Sequence, residues 1–465
     1  VSDFYGISVA LSSLFAQRRA IEVTGQNVAN ANTEGYSRQR ISTTARGAPI
    51  VPAIHTAATV LPGGGINVEG VTRLRNFFFE ARSAEEHGNE ERLRSLQQAY
   101  SRMELTFAEP GDTSLSGQLA DFWAGWHDVA NRPNDIAART QLLERARTLV
   151  TGINTAANDL QTQWKNAKSQ LETTLAEANS LATRVAELND AIIRSNRAGL
   201  SPNELADQRD VLVRELGKLV GVTLRGGEAG SVDVLIGGTP IVLGPNAEEL
   251  ELDVPAGSDV LDGAVSDIIW VKDGLSASVT SGKAGGLLEI MNVTLPAYRA
   301  KLDAVAQSLT DTVNAQHALG FDLAGVAGTD LFAFDNTVAT GGLTVEITDP
   351  SLVAASSDAT ALFDAANALT LADFSILSGG PDELIRSLAI GLGVDTQVAN
   401  RRVQIQADIT RQIDSIGDSE AGVNLDEEMA NLVAYQRGYE AAARFLTTID
   451  QMLDVLVNRT GYVGR

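Results

Sequence analysis

The chain has 465 residues, enough for two to four domains, and its 44% hydrophobic and 20% charged content is the balance of a globular protein. Its net charge of −23 argues against a nucleic-acid binder, which needs clustered Lys and Arg to neutralise phosphates, and against an anionic membrane surface as partner. There is no Cys, hence no disulfide framework or thiolate metal site, and no apolar run approaches transmembrane length.

The first predicted element is a helix with Ile7, Leu11, Leu14, Ile21 and Val28 on a 4-3 spacing, broken where Arg18 and Gly25 occupy seam positions. The stretch NVANANTEGYSRQ ends it, because Asn and Gly tolerate left-handed backbone and suit caps and turns. Five Arg against three acids make the first 46 residues basic. Those residues carry no secretory signature, so the expectation is a chain that stays in the cytosol or leaves without a cleaved signal peptide. Residues 41–80 alternate, and PIVPAIHTAATV and GINVEGVTRL read as two strands joined across LPGGG. That glycine run lacks the Gly-Lys-Ser/Thr of a phosphate loop and reads as a turn.

Helices dominate to about residue 220. One seam holds Leu93, Leu96, Tyr100, Met103 and Phe107, and the next holds Leu115, Leu119, Phe122, Trp126 and Val129. A third helix, near 135–152, runs into the longest, where the 4-3 stripe from Leu160 to Ile192 predicts about 40 residues and about 60 Å. NELADQRDVLVRELGKLVGV is another amphipathic helix. From Val222 the pattern turns to short β runs divided by Gly, Asn and Asp, and helical spacing returns near 285. Residues 321–383 are mixed, with LTVEITD the clearest strand. A helical stretch from about 384 is broken by GDSEAG. The final helix carries Leu432, Tyr435, Tyr439, Ala442, Leu446, Ile449, Leu453 and Leu456 in strict 4-3 order.

The acids concentrate in the β segments: ten against three bases over 222–284, and ten with no base over 321–385. They read first as solvated faces that keep a protein soluble and, more sharply, as the outward surface of a crowded assembly. The expected fold is multidomain α+β: paired terminal coiled-coil-like helices, a long-helix bundle, and small β-rich outer domains inserted in the bundle. The expected units are a terminal helical domain of 1–42 with 424–465, a bundle of 43–221 with 284–320 and 384–423 that includes a β-hairpin, and an acidic outer domain of 222–283 with 321–383.

Catalytic constellations are sparse. The four His (His55, His87, His127 and His317) sit in no metal or nucleophile motif, and scattered acids do not make a catalytic pair, so no enzyme, cofactor or metal is expected. Trp123, Trp126 and Trp164 read as bundle core. Terminal stripes that cannot be quenched within one molecule point to assembly with neighbours. The expected interface is Ile7, Leu11, Leu14, Ile21, Val28, Leu432, Tyr435, Tyr439, Leu446, Ile449, Leu453 and Leu456, with Asn30, Asn32, Gly35 and Tyr36 as the turn that leads the chain outward.

NVANANTEGYSRQ and GVNLDEEMANLVAYQRGYEAAARFLTTIDQMLDVLVNRTG together resemble the bacterial flagellar axial proteins, the family of rod, hook and hook-associated proteins, with Asn30, Asn32, Thr33, Gly35, Tyr36 and Arg38 on its N-terminal motif. The helical stretches LTFAEPGDTSLSGQLADFWAGWHDVANRPNDIAART and NELADQRDVLVRELGKLVGV, with the segment from Ser281, are similar to the hook–filament junction members of that family. The resemblance implies an extracellular structural adaptor, exported by the flagellar type III route. Its implied partners are other copies of itself in a ring, the hook protein, the next hook-associated protein and an export chaperone. The alternatives are a hook or distal-rod protein and, in a different class, a secreted coiled-coil adhesin or hydrolase with acidic β-domains.

Overall fold

The computed structural model describes residues 2–46, 64–107, 111, 114–262, 265–361 and 363–459. Helix α1 (Ser2–Ala29) turns into β1 (Gln39–Ala45), which pairs antiparallel with β2 (Ile66–Arg73), Gln39 opposite Arg73. Then come α2 (Phe77–Phe107), α3 (Leu115–Asn131), α4 (Ile136–Arg197) and α5 (Asn203–Val220). Strands β3 (Thr223–Gly226), β4 (Val232–Ile236), β5 (Thr239–Leu243) and β6 (Asn246–Ala247) form an antiparallel meander. A separate pair follows, β7 (Leu250–Asp253) with β8 (Asp267–Trp270). Helix α6 (Gly282–Glu289) passes through one π-helical turn into α7 (Leu295–His317). A last pair, β9 (Phe332–Phe334) and β10 (Leu343–Val345), precedes α8 (Ala366–Ala372), α9 (Pro381–Ala421) and α10 (Leu425–Asp454).

The expected third and longest helices are one. α4 runs unbroken for 62 residues, about 93 Å at 1.5 Å per residue. Asp135 caps its start by accepting from the Ala137 N–H at 2.9 Å. Its buried stripe passes Leu142, Leu149, Ile153 and Leu160 without a gap, and the lone interior Gly152 costs only about 1 kcal/mol. In the same way α9 continues through the stretch expected to break it and ends only at Gly422. The core of the bundle is aromatic and aliphatic: Phe122, Trp123, Trp126 and Trp164 are all buried, and Trp164 donates its indole N–H to the Met291 carbonyl at 3.1 Å.

The strand expected over 49–60 lies outside the described residues, and GINVEGVTRL pairs instead with Gln39–Ala45, which sequence reading had not placed as a strand. SASVTSG forms no strand and reaches the sheet only through a single bridge, Ile269 with Ser276. The two acidic segments share no sheet and occupy successive stretches of α4. The first is held by Gln161, Asn179, Asn189 and Asn196, the second by Arg139 and Asn154.

Three of these attachments use one device. An asparagine on a helix donates its Nδ2 to a strand carbonyl and accepts, on Oδ1, from the same residue's N–H, as a neighbouring strand would. Asn179 does this to Leu250 at 2.9 Å in both directions. Asn189 does it to Val232 at 2.8 and 3.1 Å and adds the Gly244 carbonyl at 2.9 Å. Asn154 holds Leu343, and Asn314 on α7 holds Phe332. Since Asn189 is fully buried, Asn189→Ala leaves backbone groups of Val232 and Gly244 unpaired. A loss of about 1–3 kcal/mol in urea unfolding is expected. Amide exchange at Val232 should rise, and unchanged protection there would refute the clamp.

Candidate assembly interface

Helices α1 and α10 lie side by side and antiparallel. Gly6 rests against Ile449, Gln17 against Gly438, and Asn27 bonds Glu428 at 3.0 Å, so each step up one helix is a step down the other. α10 and the β1–β2 hairpin together cover a face of α1 that holds Ala16, Ala20, Val23, Thr24 and Asn27. At about 100° per residue this face is roughly a third of a turn away from the aliphatic stripe. Of that stripe, Ile7, Leu14 and Ile21 are half-buried, while Leu11 and Val28 are exposed. On α10, Ala442, Ile449 and Glu428 are buried, and Leu432, Tyr435, Leu446 and Leu453 are half-buried. Tyr439 and Leu456 are exposed. Beyond the expected stripes, Phe15 is 65% exposed and Phe445 48%, large apolar side chains that the pair leaves in solvent.

The turn after α1 is built around Asn27, which the sequence reading had not singled out. Its side chain is buried. It clamps Gln39 at 2.9 Å in both directions, accepts the Tyr36 hydroxyl at 2.9 Å and donates to the Glu428 carboxylate. Arg38 completes the closure: its guanidinium reaches Glu428 at 2.8 Å and Glu427 at 2.7 Å, and its N–H bonds the Ala421 carbonyl. Burial opposes its charge, but the two carboxylates outweigh that and raise its pKa. Asn30 donates back to the Gln26 carbonyl at 3.0 Å, and Asn32 is exposed. Burial, with Asp207, Glu204 and Glu428 nearby, pushes the Tyr36 phenol up to about 12, so it stays a neutral donor. Gly35 takes φ of 76°, and a Cβ there would lie 2.2 Å from Cγ2 of Val211. Two penalties, left-handed backbone and a clash, therefore fall on any other residue.

Beyond the turn the chain enters a buried ionic cluster on α5. Ser37 donates its hydroxyl to Asp207 at 2.5 Å. Arg73 bonds Asp207 at 2.8 Å and Asp210 at 2.7 Å, Arg75 bonds Asp210 at 3.1 Å, and Arg209 bonds it at 2.7 Å. Arg75 also pairs with Glu80. Burial works against ionised Asp210, but Arg209, Arg73 and Arg75 together hold its carboxyl below the usual range. Glu80 goes the other way, raised by burial and by the charge of Asp210. A cavity of about 700 Å³ opens beside the cluster, lined by Asn30, Tyr36, Arg184, Leu188, Glu204 and Val211. The signal for this cluster was present in the quoted helix NELADQRDVLVREL, whose Asp207, Arg209 and Asp210 are buried charges on an amphipathic face. Periodicity alone reads them as solvated.

Among the described residues no group of three or more His, Cys, Asp or Glu is placed to hold a metal ion, and no helix is long and apolar enough to cross a membrane. His317 is buried between the Thr329 carbonyl and the Ala354 N–H, and burial lowers its pKa. His127 is exposed, and His87 sits beside Asp414 at 3.1 Å as part of the α2–α9 contact.

The paired termini and the helical bundle each match a known sequence profile. "Flagella basal body rod protein" matches residues 7–36, and "Flagellar basal body rod FlgEFG protein C-terminal" matches 419–459. "Flagellar hook-associated protein FlgK helical domain" matches 100–332. Flagellar hook-associated protein 1 of Bacillus subtilis (strain 168) is 30% identical over 516 aligned positions that span all of both chains. The chain belongs to the flagellar hook-associated protein 1 family. The Escherichia coli (strain K12) and Salmonella typhimurium members are 26% and 25% identical, over 97% of this chain and 99% of theirs. The solved structure of the flagellar hook junction protein FlgK from Burkholderia pseudomallei shares the fold, with a TM-score of 0.63 at 18% identity, covering 73% of this chain and all of that one. In this hook-associated protein 1 family member, the two rod-protein windows coincide with α1 and its turn and with α10.

Because the folded pKa of Asp210 lies below the ordinary value of about 3.9, its contribution is complete above about pH 4 and is lost as pH falls through the lowered value. Asp210→Asn strips three guanidiniums of a shared partner, with an expected cost of about 3–5 kcal/mol at neutral pH and a flatter acid limb. Urea unfolding at pH 7 and near pH 3 reads both effects. Gly35→Ala is expected to cost about 1–3 kcal/mol, read as a lower Tm.

Proposed function

We propose that this chain is the structural adaptor that joins the hook to the filament of the bacterial flagellum, built into the axis through its terminal helices. The observation that carries the reading is the α1–α10 pair, which leaves Leu11, Phe15, Tyr439, Phe445 and Leu456 in solvent on helices that match the axial family. A two-helix unit has only one inner face per helix, so apolar side chains on its other faces need neighbours. The terminal unit of this reading is 1–42 with 424–465. Its partners are further copies of the chain, the hook protein and the next hook-associated protein, and it reaches them extracellularly after export with the help of a chaperone. The rod and hook alternatives account for the two terminal windows, whereas the helical-domain match over 100–332 and the end-to-end relationship favour the junction.

Deletion of the gene is expected to give hooks without filaments and filament protein released to the medium. Normal filaments on the deletion strain would overturn the assignment. Phe15→Asp should leave the Tm of the isolated chain nearly unchanged, since the side chain is already in solvent, and should block incorporation into flagella. A lowered Tm with normal incorporation would mean that Phe15 serves the chain's own packing instead.

A further inference from the structure

His317 ends α7 and is fully buried, and both of its ring nitrogens are committed to backbone groups. Nδ1 lies 2.6 Å from the Thr329 carbonyl, and Nε2 lies 2.8 Å from the Ala354 N–H. A carbonyl can only accept and a peptide N–H can only donate. The two partners therefore fix the ring proton on Nδ1 and a lone pair on Nε2, and the folded ring is neutral by geometry alone. A second proton has one place to go, Nε2, where it meets the Ala354 N–H donor to donor. The Thr329 bond survives that protonation and the Ala354 bond does not.

The two backbone groups belong to two loops, 318–331 and 348–356, that are stitched to each other. Phe321 and Ser356 exchange backbone bonds at 2.8 and 3.3 Å, and the Leu323 N–H reaches the Ser351 carbonyl at 3.2 Å. Together they form a flap near the start of α4. Its outward side carries Leu319, Val326 and Leu352, all exposed, and its inner edge is Val353, Ala354 and Ala355, all fully buried. Side chains of the bundle fasten that inner edge. Besides His317, the Arg139 guanidinium on α4 bonds the Val353 carbonyl, and Asn367 on α8 bonds the Ala354 carbonyl at 2.7 Å.

Charged groups act on the ring from the flap and from α4. Asp330 and Asp322 in the flap favour an imidazolium, and Arg139 opposes it. The segment 350–356 and α8 carry no charge, and α3 presents the Trp126 ring, 6.1 Å away. Burial is the largest influence and holds the imidazole below its ordinary value of about 6.5.

We propose that His317 is an acid-opened latch: protonation at Nε2 breaks the Ala354 bond and frees the flap of residues 318–331 and 348–356, while α3 and α4 stay folded. The buried ring holds its second proton more weakly than an exposed one. Closure is therefore complete above about pH 6.5 and weakens as pH falls through that value. Opening takes up one proton, so the open fraction grows about ten-fold for each pH unit below it, until the buried ring itself titrates. What opens is an apolar edge, Val353, Ala354 and Ala355, that neutral pH keeps covered.

Hydrogen exchange of the full chain, corrected for the intrinsic rate at each pH, reads the opening of peptides within 348–357 and, for comparison, within α3 and α4. The expected result between about pH 7.5 and 5, above the ordinary carboxylate range, is a rise of about ten-fold in 348–357 with α3 and α4 unchanged. His317→Gln keeps an acceptor for the Ala354 N–H but takes up no proton, so its opening should not vary with pH. A wild-type flap that ignores pH, or a rise of the same size in His317→Gln, overturns the latch. A rise that α3 and α4 share overturns it too, because acid then loosens the whole bundle. Should His317→Gln fail to fold, the combined variant His55→Gln, His87→Gln and His127→Gln leaves His317 as the one imidazole to follow by its nitrogen chemical shifts. Titration below about pH 6.5, in step with exchange in 348–357, supports the latch; a ring that charges at or above that value overturns it.

Discussion

The structure depends on asparagine side chains that stand in for a strand. Each strand segment inserted between helices presents backbone groups at an edge, and a helix has no free backbone donors or acceptors along its length to meet them. The primary amide supplies one donor and one acceptor at the spacing of a peptide group. Asn154, Asn179 and Asn189 use this to seat two β segments along α4, Asn314 seats β9 on α7, and Asn27 seats β1 on α1. Asn is a poor helix former, so these positions cost helix stability locally. Satisfying two buried backbone groups of about 1–3 kcal/mol each more than offsets that.

The same device connects the two ends of the chain. Asn27 spends its remaining capacity on Tyr36 and on Glu428, and Glu428, buried, is satisfied by Arg38 some 390 residues away in sequence. Neither half of the closure is complete alone: without α10 one Asn27 amide hydrogen and the Arg38 guanidinium lose their partner, and without Asn27 and Arg38 the Glu428 carboxylate is left bare. The joint to the bundle has the same polar character, through Ser37, Asp207, Asp210 and their arginines. A terminal unit fixed by directional bonds keeps a defined orientation, while its apolar surface stays available for neighbours.

Bundle and terminal unit thus divide the work. The bundle satisfies itself around Trp123, Trp126 and Trp164. The terminal pair leaves large apolar side chains exposed on more than one face. The acidic segments, each seated on its own stretch of α4, keep most of the net negative charge off the surfaces where apolar contacts are made.

Strict 4-3 stripes made the long helices legible, because burial along one face is a property of local spacing. Gly and Asp boundaries marked the β segments for the same reason, and the Gly35 turn was visible in its composition. The buried face of α1 was not legible: the aliphatic stripe was the obvious seam, yet the residues buried beneath α10 and the hairpin include Ala16, Ala20 and Thr24, whose small size matters only once other elements lie beside them. Asn27, Asp207, Asp210 and Glu428 read as solvated or capping residues until the fold surrounded them with donors and acceptors. The sequence by itself determined which segments are helical and which stripes are apolar. Only the tertiary structure decided which polar groups are buried together and which strands pair, because hydrogen-bond partners hundreds of residues apart are chosen by position in space and leave no local period behind.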